Sequence, residues 1–274
     1  MNPIHAASWI WCNDTPTEFN QYGLFRRRLE LPAAPGMVRV HACADMRYWL
    51  YVNGVRVGFG PGRYNDRFPL YDTHDITRLV RPGGNLIAFK VHSIGPVPAI
   101  TSFIAHRAAL IAAVEWEGGR AVTDAAWRCI RETAYASDTP RFSAHQSFIE
   151  CFDARRAQTG WERPDFDDAT WREAIPLPPA ALAPWEELRP RPIPLLTLIP
   201  RVPARVLESG LSRPAPEADP RNMVTLPNMM EYARRAPADL VRQDPVTLFP
   251  LGFSAPANGR DAAYAVIDFA ENSA

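Results

Sequence analysis

Between positions 49 and 66 the chain collects the side chains that hold sugars: Trp49, Tyr51, Arg63, Tyr64, Asn65 and Asp66. A pyranose ring presents apolar C–H faces that stack on Trp or Tyr, while its hydroxyls hydrogen-bond to Arg, Asn and Asp. A plainer reading stands beside this one. Trp49 and Tyr51 can face a second sheet as core, and Arg63 with Asp66 can form an ion pair that only fixes a loop. Asn65 and Asp66 offer two oxygen-bearing groups to calcium, far short of the six to eight ligands that ion takes. No metal and no cofactor is therefore expected.

Catalytic chemistry is harder to find. Pairs of acids such as Asp66 with Asp72, or Glu150 with Asp153, suit general acid and base roles only if one carboxyl is kept protonated by its surroundings. Acids in the loops of a β-protein are more often solvated or capping. Histidines and serines are present, but no G-x-S-x-G elbow accompanies them. In W-E-R-P-D-F-D-D-A-T-W (161–171), three aspartates suggest a calcium loop, yet the central glycine and closing glutamate of an EF-hand are missing. The simpler expectation is a turn in which aspartates accept backbone N–H bonds and two tryptophans pin the loop down.

These residues need a framework of strands. In the run 46–62, M-R-Y-W-L-Y-V-N-G-V-R-V-G-F-G-P-G, Tyr48, Leu50 and Val52 alternate with Arg47, Trp49 and Tyr51. Asn53-Gly54 follows, and Asn-Gly between apolar runs is the signal for a type I′ hairpin, which needs positive φ at both central residues. Further strands are expected at 8–12, 22–31, 37–44, 86–92, 107–116, 121–131 and 147–153. The polar and aromatic loop 59–69 lies between strands, where binding loops are commonly placed. Short apolar runs separated by Gly, Pro, Asn and Asp predict an all-β antiparallel sandwich over 1–175. Residues 176–222 are proline-rich and unsuited to a central strand, which predicts a linker or strap. Residues 223–274 read as the start of a second β-sandwich, incomplete, with a short helix after Pro227 and a strand at 262–269.

Composition excludes several classes. Thirty basic and thirty acidic residues give zero formal charge, so nothing draws the chain to nucleic acid or to an anionic membrane. No run of about 18 apolar residues occurs and the N-terminus lacks the pattern of an export signal. Cys12, Cys43, Cys129 and Cys151 have neither CxxC nor ligand spacing, which predicts buried free thiols and a reducing, cytoplasmic setting. Lys90 is the only lysine among 30 basic residues, a bias read as genomic.

The early W-I-W and F-R-R-R-L-E-L, then A-D-M-R-Y-W-L-Y-V-N-G-V-R-V-G-F-G-P-G-R, Y-D-T-H-D-I-T-R-L-V-R-P-G-G-N and G-W-E-R-P-D-F-D-D-A-T-W, occur in the order seen in the N-terminal region of bacterial α-L-rhamnosidases. The chain resembles that family of inverting glycoside hydrolases over about residues 8–175. The resemblance implies a jelly-roll-like, galactose-binding-like sandwich, followed by a second sandwich and then an (α/α)6 barrel that carries the catalytic carboxylates. The barrel's D-x-P-x-R-D-E-R motif is absent from this sequence. The resemblance therefore implies a non-catalytic portion of a glycoside hydrolase, partnered by the catalytic domain and by carbohydrate, including rhamnose-containing glycan. The alternatives are a stand-alone carbohydrate-binding module and the sugar-binding domain of a β-galactosidase or β-glucuronidase relative. If sugar is touched, loop 59–69 is the expected place.

Overall fold

The computed structural model describes residues 2–15, 18–64, 68–96, 107–139, 147–178, 187–199, 204–214, 230–233, 241–242, 252–253 and 262–269. The chain forms two compact units that meet in sequence at Thr197 and Leu198.

In the first unit the strands are β1 (Ile10–Trp11), β2 (Gln21–Leu31), β3 (Arg39–Asp45), β4 (Arg47–Val52), β5 (Val55–Gly60), β6 (Leu70–Asp75), β7 (Gly83–Ser93), β8 (Ala109–Trp116), β9 (Gly119–Val122), β10 (Arg128–Arg131), β11 (Arg172–Glu173), β12 (Ile175–Pro176) and β13 (Arg189–Pro190). They build two sheets. One runs β12-β1-β8-β3-β6-β13 with β9 attached to β8, and the other runs β11-β10-β2-β7-β4-β5. Successive side chains of a strand point to opposite faces. Phe25, Tyr48, Leu50, Val52, Ile87 and Phe89 from the second sheet accordingly meet Val40, Ala42, Leu110, Ala112 and Val114 from the first in one core. The other face of the first sheet is also covered. Cys43, Ala109 and Ile111 lie there against Ile4 and Trp9, with Tyr64 and Leu188 packed on top.

The hairpin forms as its sequence requires: Asn53 has φ of 49° and Gly54 of 87°, so both central residues take the left-handed region a type I′ turn demands. The Asn53 amide also donates to the carbonyl of Leu79 at 2.9 Å and accepts from the Leu86 N–H at 2.8 Å. One side chain thus ties the hairpin to the turn before β7.

Several local expectations change. Residues 121–131 make two strands because Asp124 turns the chain, its carboxylate accepting from the Ala126 N–H at 2.8 Å. β9 then stays in one sheet while β10 joins the other. Residues 147–153 give isolated bridge positions at Phe148 and Phe152 rather than a strand, Phe152 pairing with Tyr135, and Asp153 then caps the 3-10 turn at Ala154–Arg156. Cys151 is exposed there, whereas Cys12, Cys43 and Cys129 are buried free thiols, with burial pushing Cys129 up to about 12. The proline-rich stretch contributes β13, which lies at the sheet edge in parallel with β6. An outermost strand tolerates Pro190, which has no N–H to donate.

In the second unit β14 (Arg205–Pro214), β15 (Met230–Ala233) and β18 (Ala262–Asp268) pair in the order β15-β14-β18, while β16 (Val241–Arg242) pairs with β17 (Gly252–Phe253). Prolines 203 and 214 bracket a proline-free run, which is why part of the strap region serves as a middle strand. Met230–Ala233 is a strand rather than helix, its backbone paired along β14.

Candidate functional site

The outer face of the six-stranded sheet carries the chemistry. Strand register sets three rows across β2, β7 and β4: Tyr22, His92, Arg47; then Leu24, Lys90, Trp49; then Arg26, Ala88, Tyr51.

In the first row three rings stack, Tyr22 lying 4.0 Å from His92 and 3.9 Å from Tyr135. His92 Nε2 meets the Asn20 amide oxygen at 2.9 Å. Burial, followed by the charges of Arg47 and Lys90, lowers the His92 imidazole to about 3. It is neutral at ordinary pH.

In the second row the Lys90 ammonium lies 4.7 Å from the centre of the Trp49 ring and 5.2 Å from that of Tyr135, and it donates to the Tyr135 hydroxyl at 2.9 Å. Rings offer a cation their negative faces. Burial lowers the Lys90 pKa, opposed by Glu150 and Glu132. The Tyr135 phenol is pushed up to about 12, first by burial and then by the same two acids.

In the third row Arg26 is buried and the turn 161–171 winds around it. The guanidinium bonds Asp168 at 2.7 Å and the carbonyls of Trp161, Arg163 and Phe166. Arg28 adds bonds to the carbonyls of Pro164 and Phe166. Burial pulls the Asp168 carboxyl up, but Arg26 and Arg28 hold it below the usual carboxylate range. Asp167 accepts from the Ala169 N–H at 2.9 Å. Asp167 and Asp168 of this motif are thus engaged in fastening the turn, with the arginine at its centre. Trp171 packs on Phe166, and Trp161 stands edge-on to Tyr51 with ring centres 5.2 Å apart.

The docked turn, the bridge at Phe152 and the sheet enclose a partly open cleft of about 260 Å³, lined by Lys90, Glu132, Tyr135, Phe152, Trp161 and Glu162 among others. That is room for about one sugar ring. Glu132 is held in place, its two oxygens accepting from the N–H groups of Ala134 at 2.8 Å and Gln158 at 3.3 Å. Rings, an amine and carboxylates in one concavity equip it for stacking and hydrogen bonding.

The residues singled out from sequence fall in different places. Trp49 and Tyr51 lie on this outer face rather than in the core, touching the cleft through Lys90 and Trp161. Tyr64 packs over the outer face of the other sheet, its hydroxyl 3.4 Å from the Ala44 carbonyl. Arg63 is exposed, and Asn65 and Asp66 lie outside the described residues. Of the acid pairs, Asp72 serves a buried network and Asp153 is paired with Arg155 at 2.8 Å. Lys90, Glu132, Tyr135 and Phe152 were not legible as a group. The solitary lysine was the one available signal.

The buried network explains the G-F-G-P-G run. Tyr48 donates to Asp72 at 2.7 Å and lies 2.9 Å from His74 Nε2, and Arg191 donates to Asp72 at 3.2 Å. Gly58, Gly60 and Gly62 pass against His74, Asp72 and Arg191 in turn, and a Cβ on Gly60 would come within 1.9 Å of the Asp72 carboxylate. The glycines are there because the backbone runs over buried polar groups.

Residues 34–193 match the family described as the alpha-L-rhamnosidase N-terminal domain. An alpha-L-rhamnosidase of Streptomyces avermitilis is 34% identical over 147 residues, covering 48% of this chain and 14% of that protein. The GH78 family rhamnosidase of Bacillus sp. GL1 is 40% identical with a TM-score of 0.70, over 76% of this chain and 22% of its own. The alpha-L-rhamnosidase of Dictyoglumus thermophilum shares the fold at 21% identity and a TM-score of 0.57, over 76% and 26% of the two chains. The present chain thus spans a small fraction of the length of these relatives. With more than half of its residues matched, the chain belongs to the alpha-L-rhamnosidase N-terminal domain family.

Proposed function

We propose that this chain is the non-catalytic N-terminal portion of an α-L-rhamnosidase-like glycoside hydrolase, that it supports the catalytic domain of that enzyme, and that it binds carbohydrate in the cleft beside Trp161. The observation that carries the binding reading is the set of rings around the cleft, Trp161, Tyr135 and Phe152, with Trp49 and Tyr51 adjoining. Aromatic walls and a few fixed polar groups are what a pyranose needs. The non-catalytic part of the reading rests on the acids: Asp72, Asp153 and Asp168 are all held by arginines.

Calorimetric titration of the chain with L-rhamnose, galactose and an aryl rhamnoside tests this. Saturable binding that Trp161→Ala weakens is the expected result. Absence of binding to every sugar leaves only the supporting role. Turnover of the aryl rhamnoside by the purified chain would overturn the non-catalytic reading.

A further inference from the structure

The cleft has a polar floor whose parts are held still before any ligand arrives. An ammonium has three N–H donors, and Lys90 gives one to the Tyr135 hydroxyl. Trp49 and Tyr135 sit close to its charge. Among the described residues Lys90 makes no ion pair, so two donors remain for whatever enters. Glu132 is the complement. Each of its oxygens accepts one backbone N–H, and a carboxylate oxygen has a second lone pair to offer. One fixed donor and one fixed acceptor line the same concavity as the ring of Trp161.

We propose that Lys90 and Glu132 together read two adjacent hydroxyls of a neutral pyranose. Lys90 Nζ donates to the oxygen of one hydroxyl, the neighbouring hydroxyl donates to the Glu132 carboxylate, and a C–H face of the ring lies against Trp161. Sugar hydroxyls both donate and accept, so a vicinal pair satisfies both groups at once. A uronic acid fits poorly, because Glu132 and Glu162 line the same cleft and like charges at close range repel. Fixing the polar groups in advance lowers the entropy lost on binding. Burial lowers the Lys90 pKa against the pull of Glu150 and Glu132, as befits an amine shielded from water.

This inference rests on the carbohydrate reading, and one experiment separates the two. Because Lys90 is the only lysine, protein grown on [13C]lysine gives a single Cε resonance that reports on this amine alone. It is titrated with methyl α-L-rhamnopyranoside, methyl β-D-galactopyranoside, methyl β-D-glucuronide and the 3-deoxy form of the rhamnoside. The 3-hydroxyl belongs to both adjacent pairs of that sugar, so its removal leaves no vicinal diol. The expected result is a saturable Cε shift with a neutral pyranoside, at least about tenfold weaker binding of the 3-deoxy sugar, and weaker binding of the glucuronide. By calorimetry Lys90→Met is expected to lose a similar factor while keeping the thermal unfolding midpoint. Failure of the wild-type chain to bind any of the sugars overturns the carbohydrate reading and this inference with it. Binding with no Cε shift, or equal affinity for the 3-deoxy sugar, overturns this inference alone. The deoxy sugar needs no variant, so the test survives if Lys90→Met does not fold.

Discussion

The guanidinium of Arg191 lies 3.2 Å from the carboxylate of Asp72, across 119 residues of sequence, and both side chains are buried. The contact fastens the proline-rich strap to the sandwich. Beside it β13 pairs with β6, and the N–H of Arg191 donates to the carbonyl of Tyr71 at 2.9 Å.

Arg191→Ala is expected to destabilise the first unit by about 3–5 kcal/mol, because Asp72 is left buried and short of a counter-charge. The double variant Arg191→Leu with Asp72→Asn is expected to recover part of that loss. Urea denaturation followed by tryptophan fluorescence measures both. Equal stability of Arg191→Ala and wild type would show the pair to be incidental.

Two glycines give a contrast in one assay. At Gly60 an added Cβ would meet the Asp72 carboxylate at 1.9 Å and the Tyr48 ring at 2.9 Å. Gly60→Ala is therefore expected to cost about 3 kcal/mol or more, as overpacking does at its upper end. Gly118 has φ of 81° and nothing within 4 Å of the place a Cβ would take, so Gly118→Ala is expected to cost only roughly 1 kcal/mol of backbone strain. Reversal of that order would contradict the packing around Asp72.

Arg26 is expected to control the turn that makes one wall of the cleft. Arg26→Met removes its bonds to Asp168 and to the carbonyls of Trp161, Arg163 and Phe166. Lysine is a poor substitute, since an ammonium cannot span a planar fork of partners. Amide hydrogen exchange across 161–171 is expected to rise in Arg26→Met and in Arg26→Lys, with β3 and β8 unchanged. Unaltered protection in the turn would mean that the tryptophans hold it alone.

His92 makes the fold sensitive to acid. Its imidazole falls from the ordinary 6.5 to about 3 in the folded protein, so below pH 6.5 the unfolded chain binds a proton that the folded one refuses. Stability is then expected to decline as pH drops from 6.5 toward 3, by up to roughly 1.4 kcal/mol per pH unit from this group. Burial lowers His74 in the same direction. His92→Phe keeps a ring against Tyr22 and is expected to flatten the slope in denaturation curves taken between pH 4 and 7. An unchanged slope would assign the acid sensitivity elsewhere.

The local part of this architecture was legible. Alternation with a period of two identified β4 and told which of its residues share a face, and Asn53-Gly54 identified the hairpin, because strand pleat and turn dihedrals are properties of neighbouring residues. The ordered motifs likewise pointed to the family. What escaped was set by partners distant in sequence. Trp49 and Tyr51 were known to share a face, but whether that face met the core or the cleft depended on how the sheets stack.

Tyr64 and Trp49 show the same limit from another side. They are close in sequence, yet one packs over the seven-stranded sheet and the other sits on the outer face of the six-stranded sheet. The sequence by itself determined the long strands β2, β3, β4, β7 and β8, the hairpin turn, and the all-β class of a rhamnosidase N-terminal domain. Only the tertiary structure brought Lys90 to Tyr135, Arg26 to Asp168 and Arg191 to Asp72, across 45, 142 and 119 residues. Such pairs are made by sheet stacking and by the docking of turns, and the burial that gives them their strength exists only once the chain has closed around them.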